Sequence, residues 1–245
     1  MKKLSDETVK KLTPIDSYLG QRKNLVDWLS GVGDSLHISN QAIHHAVLIL
    51  DLYASKLKKE FDVWIAALCA LLVSAKFVQM KYPSADSLNS ATDNAYSYEK
   101  IVAMEAKLLS VIDWDLMQYP TFEYLNFFLA QGCFFSTDSV LLKDGGTQFV
   151  SSSHASNFRK YAEFFSDFCV QESDLLQVEA DVLSAAIIAF TRKHLNLQVI
   201  WTNEIEKLTL CSWSKISNIY AKIEQKYAES FPDHARNQSR LVNGR

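Results

Sequence analysis

Eleven consecutive residues, Val63 to Val73, carry no polar side chain, and the run then closes on Ser74-Ala75-Lys76-Phe77. A stretch this apolar cannot lie on a surface. At helical pitch it is hydrophobic on every face, which is how a helix enclosed by its neighbours reads, so the spacing predicts a central helix over about 59–77. The run falls well short of the roughly 18 residues needed to span a bilayer, so it belongs in a folded core rather than in a membrane. The lysine that ends it is costly to bury alone. It must reach the surface or be held beside a carboxylate, and Glu105, in the amphipathic Met104-Glu105-Ala106-Lys107-Leu108-Leu109, is the candidate.

The segments around this run have the same character. Apolar residues at helical spacing predict helices over 17–29, ended by Gly31 and Gly33, and over 40–53, capped by Ser39 or Asn40. A short helix over 85–91 follows the break at Tyr82-Pro83, and a strong one covers 97–112. After Trp114-Asp115-Leu116 the order recurs, with helices over 121–130, 158–170, 182–190 as a second enclosed helix, 204–210 and 214–227. The Ser-rich stretch 136–157, with Asp144-Gly145-Gly146, reads as an exposed loop. Seven Gly and four Pro in 245 residues leave little room for tight hairpins. The expectation is an all-α chain of two five-helix units in tandem: a tail 1–13, a first unit 14–117, a second unit 118–230 with an exposed loop at 134–157, and a tail 231–245 whose Arg236, Arg240 and Arg245 make it basic.

Composition excludes several classes of function. A net charge of −3, from 25 Lys and Arg against 28 Asp and Glu, makes no field that would gather a polyanion, so nucleic acid is not an expected ligand. The four cysteines, Cys69, Cys133, Cys169 and Cys211, are isolated and lack metal-ligand spacing, which reads as reduced core thiols. His44-His45 has no second ligand at i+4, so no metal is expected and both are read as core or solvated histidines. With so few glycines there is no nucleophile elbow, phosphate loop or dinucleotide fingerprint, and no cofactor or small-molecule ligand is expected. The aromatic stretches Phe122 to Phe128 and Tyr161 to Phe168 have helical spacing and little Arg, which favours core packing over base stacking. Residues 1–13 are too charged for a signal peptide, so the expected location is the nucleus, the cytoplasm or both.

Several of these segments together resemble the cyclin family. Arg22-Lys23-Asn24-Leu25-Val26-Asp27-Trp28-Leu29 is similar to the Arg-x-x-Leu-Val-Asp-Trp-Leu with which the first cyclin box opens. His44 to Ser55 follows the pattern of its second helix, with Leu52 where the family usually has Arg. Leu71-Leu72-Val73-Ser74-Ala75-Lys76-Phe77 resembles the Leu-Leu-x-Ala-Ser-Lys-Phe that ends the third, with Ala and Ser exchanged. Met104-Glu105, Leu109 and Trp114-Asp115-Leu116 match the fifth. Four matches in order over about 100 residues make the resemblance specific. In the second unit, Lys160 to Phe165, the Ala185-Ala186 helix and Leu208 to Trp213 look most like the cyclin J branch.

The resemblance implies tandem cyclin boxes and a regulatory subunit that binds and activates a cyclin-dependent protein kinase in a heterodimer, with no chemistry of its own. It implies a kinase-facing pair at Lys76 and Glu105 with apolar contact from Phe77, Leu109 and Leu116. A substrate-docking groove would involve Arg22, Leu25, Trp28 and Trp64. That groove is altered here, because Gln21 and Asn24 stand where the family has Met and Ile, and Trp64 where it has Gln. Asp27, Arg22 and Trp28 are therefore read as structural, with an Arg–Asp contact holding the first helix to its bundle. The alternative is a kinase-independent cyclin-fold scaffold in transcription or meiosis. Arg-x-x-Leu sequences occur only inside the units, at Arg22 to Leu25 and Arg192 to Leu195, so destruction signalled from an N-terminal tail is not expected.

Overall fold

In the computed structural model, which describes residues 12–142 and 145–233, the chain forms ten α-helices and one short hairpin. The first unit ends at Pro120 and also takes in Val170–Gln177; the second comprises Thr121–Cys169 and the chain from Val178 onward. Most of the N-terminal tail, and Arg236, Arg240 and Arg245 of the C-terminal one, lie outside the described residues.

The first unit contains α1 (Asp16–Ser35), α2 (Asn40–Leu57), α3 (Val63–Val78), α4 (Ala85–Ser90) and α5 (Tyr98–Val111). Asp62 caps α3 by accepting from the Ile65 amide, so this helix starts four residues later than the hydrophobic run and its charged prelude suggested. Every residue from Ile65 to Ala75 is buried, and α3 packs against α1, α2, α4 and α5. Ser39 caps α2 and Ser97 caps α5 in the same way. The helix α1 runs through both glycines instead of stopping at them. A Cβ on Gly33 would lie 2.5 Å from Cδ1 of Ile43, so this glycine admits α2 to close approach rather than ending α1.

Arg22 is buried on α1 and binds the carboxylate of Asp51 on α2 through Nε (2.7 Å) and Nη2 (2.8 Å). Its Nη1 donates to the Val170 carbonyl at 2.7 Å, and the Tyr18 hydroxyl donates to Asp51 Oδ1 at 2.7 Å. Burial opposes the guanidinium charge, but the Asp51 carboxylate and its hydrogen bonds outweigh that and raise the Arg22 pKa. The acidic partner of Arg22 is thus Asp51. Asp27 is exposed and accepts instead from Gln171 Nε2 at 2.7 Å.

The second unit contains α6 (Thr121–Gln131), the hairpin strands β1 (Ser139–Leu141) and β2 (Thr147–Phe149), α7 (Ser152–Gln171), α8 (Ala180–His194), α9 (Asn203–Thr209) and α10 (Trp213–Ser230). The last residues of α7 count with the first unit, as does the 3-10 turn Ser173–Leu175, a stretch that the sequence assigned to the second. Buried from Val182 to Arg192, α8 is the central helix and packs against α6 and α10. Phe165, Phe190, His194, Tyr227 and Phe231 join α7, α8 and the end of α10 in edge-to-face and tilted ring contacts. Phe165, Phe190 and Tyr227, with Phe122 and Phe128, form part of the core, His194 and Phe231 are partly buried, and Phe127, Tyr161 and Phe164 reach the surface.

The stretch 134–157 is not one exposed loop. Val140 and Asp138 are buried, α7 begins at Ser152, and the Leu141 amide donates to the Asn196 carbonyl. The cause is Arg192, the last buried residue of α8. Its Nη1 and Nη2 bind Asp138 at 2.8 and 2.6 Å, and it donates further to the carbonyls of Cys133 (3.0 Å) and Val199 (2.8 Å). A buried cation requires this enclosure, and it draws the segment inward.

Candidate functional site

At the end of α3 the helix leaves the core and its side chains change character. Lys76 and Phe77 follow eleven buried positions, and both are exposed. Glu105 lies midway along α5, which packs on α3, and its Oε1 receives Lys76 Nζ at 2.6 Å. The side chains are 39% and 20% exposed. An ion pair this open to solvent adds about 0.2–1 kcal/mol to stability, too little for it to be the main tie between two helices already packed through Leu68, Leu72, Ile101 and Leu108. Lys76 keeps further donor capacity, and Glu105 further acceptor capacity, for a group arriving from outside.

Of the five residues expected to act together, Lys76 and Phe77 are in the last turn of α3, Glu105 and Leu109 are on α5, and Leu116 is in the segment after it. Phe77 is exposed, Leu116 half-buried and Leu109 almost fully buried, so Leu109 supports the surface more than it forms it. Exposed apolar side chains stand at the end of α3 and in the segments that follow the two helices: Phe77 in the last turn of α3, Met80 and Tyr82 after it, and Trp114, Met117 and Tyr119 after α5. Trp114 is 69% exposed on a left-handed backbone (φ 58°). A large ring left in water on a restricted backbone is a feature of recognition surfaces rather than of cores. Sequence reasoning quoted Trp114 within a motif without giving it a role.

His45, which the sequence offers as a core or solvated histidine, is a core one. The imidazole is buried between α2, α3 and the turn after α5, with Nδ1 2.8 Å from Ser74 Oγ and Nε2 2.9 Å from the Leu116 carbonyl oxygen, and its ring stacks on Phe77 at 5.3 Å. A carbonyl only accepts, so Nε2 carries the proton and Nδ1 of the neutral ring accepts from the Ser74 hydroxyl. Burial lowers the His45 pKa, partly offset by the Leu116 hydrogen bond. Nothing local announces this, because Leu116 lies 71 residues further along the chain.

The four groove residues separate. Arg22 and Leu25 are buried and offer nothing to a ligand, since one is committed to Asp51 and the Val170 carbonyl and the other to the core. Trp28 is half-buried and meets the exposed Trp64 edge to face at 5.6 Å. What remains of the expected groove is this tryptophan pair. Among the described residues there is no group of three or more His, Cys, Asp and Glu placed to hold a metal, and no helix long and apolar enough to cross a membrane.

Comparison with known proteins bears on the same two units. The family model of the cyclin N-terminal domain matches residues 3–117 and that of the cyclin C-terminal domain residues 146–241. Cyclin-J of Xenopus laevis is 24% identical over 213 residues, covering 81% of this chain and 54% of its own. Cyclin-D of Ostreococcus tauri is 26% identical over 191 residues, 75% of this chain and 50% of its own. G2/mitotic-specific cyclin-B1 of Caenorhabditis elegans reaches 32% over 96 residues, 39% of this chain and 27% of its own. The chain thus spans about half the length, or less, of these relatives. Among solved structures, a viral cyclin from herpesvirus saimiri superimposes with a TM-score of 0.68 at 14% identity, covering 89% of this chain and 88% of that one. A chain of the yeast RNA Pol II CTD kinase complex gives 0.64 at 13% (88% and 68%), and one of the Chaetomium thermophilum CAK complex 0.57 at 15% (92% and 66%). At these identities the likeness is one of fold. With a cyclin domain matched in each half and the all-α architecture of a viral cyclin, this chain belongs to the cyclin family and is similar to cyclin J.

Proposed function

We propose that this cyclin binds and activates a cyclin-dependent protein kinase through the surface formed by Lys76, Phe77, Glu105, Leu109 and Leu116. The observation that carries the reading is the Lys76–Glu105 pair, held at 2.6 Å between two helix surfaces and only partly covered, with exposed apolar side chains beside it. A charge pair of this kind offers directional hydrogen bonds to a partner's backbone, and an apolar rim excludes water from them. Docking would hold the kinase C helix inward, where its glutamate meets the ATP-binding lysine, and release the activation loop. Binding energy would shift that equilibrium, and catalysis would belong to the kinase. Two of the structural relatives are chains of kinase complexes, which favours a kinase as the class of partner.

The test is binding of the full chain to a panel of purified cyclin-dependent kinases, with activity read as phosphate transfer to histone H1. Binding and activation by the wild type, both lost in Lys76→Ala/Glu105→Ala, is the expected result. A folded wild-type protein that binds no kinase of the panel would sink the reading and favour a kinase-independent scaffold. That second reading draws on the groove, where Trp64 stands against Trp28 and two expected lining residues are buried.

A further inference from the structure

The turn after α5 is strained. Asp113 and Trp114 both have φ near +58°, two consecutive left-handed residues of which neither is glycine. Each costs roughly 1–2 kcal/mol, and such a backbone persists only where its surroundings impose it. Hydrogen bonds inside the turn account for part of the constraint: the Trp114 amide donates to the Leu109 carbonyl at 2.9 Å, and the Leu116 amide to the Trp114 carbonyl at 2.9 Å. Lys56 adds an ion pair to Asp113 from outside, but Asp113 is 80% exposed, so that tether is open to solvent. A buried side chain also holds the turn: His45, through Nε2 to the Leu116 carbonyl. The same ring supports Phe77 from behind, and its other nitrogen is fixed by Ser74, one helical turn or less from both Lys76 and Phe77.

We infer that His45 is a positioning residue for the kinase-binding surface: one imidazole fixes the Leu116 backbone and the Phe77 ring in the conformation that docking requires. The inference rests on the kinase-binding reading above. Its physical content is preorganisation. A loop already held in its bound form loses less freedom on association, so removing the clamp weakens binding without removing any group that touches the kinase. Ser74 is part of the device, because the Leu116 carbonyl fixes the proton on Nε2 and the Ser74 hydroxyl donates to the Nδ1 that this tautomer leaves as an acceptor. If the position needed only filling, leucine would serve, with no buried ring nitrogens to satisfy.

The test compares His45→Leu and His45→Gln with Ile49→Val and Ile49→Ala, two changes at a buried position of the same helix that bracket the loss of stability. Affinity for the purified kinases and amide hydrogen exchange of 113–117 are measured on each full-length variant. His45→Leu is expected to bind at least tenfold more weakly than either Ile49 variant and to exchange faster at 113–117, where the Ile49 variants do not. His45→Gln, which can still donate to the Leu116 carbonyl, is expected to recover part of both. If His45→Leu behaves like Ile49→Ala in affinity and exchange, the role is packing alone and the inference is overturned while kinase binding stands. If the wild type binds no kinase, the functional reading fails and the inference fails with it, which the wild-type arm alone reveals.

Discussion

Asp138→Asn changes one atom and should destabilise the second unit severely. The Arg192 guanidinium is fully buried and Asp138 is 7% exposed, and the two are joined by hydrogen bonds of 2.6 and 2.8 Å. The amide keeps the shape of the carboxylate but removes its charge, and its NH2 must face a guanidinium N–H. An uncompensated buried charge costs about 3–5 kcal/mol. At roughly 2–4 °C per kcal/mol for a chain of this size, the midpoint should fall by about 6–20 °C. Arg192→Met should be similarly harmful, because it strands the carboxylate and leaves the Cys133 and Val199 carbonyls without this donor, each worth about 1–3 kcal/mol. Replacing both partners, with Arg192→Met and Asp138→Leu, should cost less than the sum of the single losses by about 1–3 kcal/mol, since neither charge is then stranded. Urea denaturation followed by tryptophan fluorescence measures all of these, Trp201 and Trp213 being the second unit's reporters. Additive losses, or an Asp138→Asn variant within about 1 kcal/mol of wild type, would refute the claim that this cation is enclosed and dependent on one carboxylate.

Charge reversal at the candidate site separates function from folding: Lys76→Glu or Glu105→Lys should lower stability by about 1 kcal/mol or less but weaken kinase binding by about 2 kcal/mol or more, as compared by melting and by titration with the kinase. The double reversal restores the internal pair and should not restore binding. Because burial lowers the folded-state pKa of His45, the unfolded chain takes up that proton first as pH falls; its contribution to stability is complete above about pH 6.5 and is lost below it, toward the folded value. Urea midpoints at pH 7.5 and 5.5 should therefore differ less in His45→Leu than in wild type. Burial pushes the thiols of Cys69 and Cys133 up to about 12 and that of Cys211 to about 11, so a thiolate-selective alkylating reagent at pH 7 should label them only as their own unit opens, at a rate that rises with urea.

Much of the fold was legible because long-range burial leaves a local mark. An apolar run reports a central helix wherever it occurs, and all ten helices lie where periodicity places them, although α1 runs about six residues further than expected and α7 starts about six earlier. Gly33 misled because glycine signals both a helix stop and a close approach, and only the position of Ile43 decides between the two; Gly31, with nothing within 4 Å of a Cβ placed there, has no such account. The stretch 134–157 reads as an exposed loop because Asp138 stands among Ser136, Thr137 and Ser139 while its partner lies 54 residues on. Lys76 and Glu105 could be paired from sequence because an isolated charge beside an apolar run demands a partner. His45 could not be tied to the turn, since a histidine on a helix carries no sign of which carbonyl it will meet.

The path of the chain through the first unit sets an order of events during synthesis. Arg22 finds Asp51 as soon as α2 is made, but its third acceptor is the carbonyl of Val170, supplied by the Val170–Gln177 segment that returns to this unit. On the ribosome, Pro120 emerges fifty residues ahead of Val170, a lag of roughly 3–10 s at 5–20 residues per second. For that interval the five helices of the first unit exist without the carbonyl that Arg22 Nη1 meets in the finished fold. The first box to be translated therefore waits for chain that emerges after most of the second box's first half, and a fragment cut at Pro120 would lack that acceptor permanently.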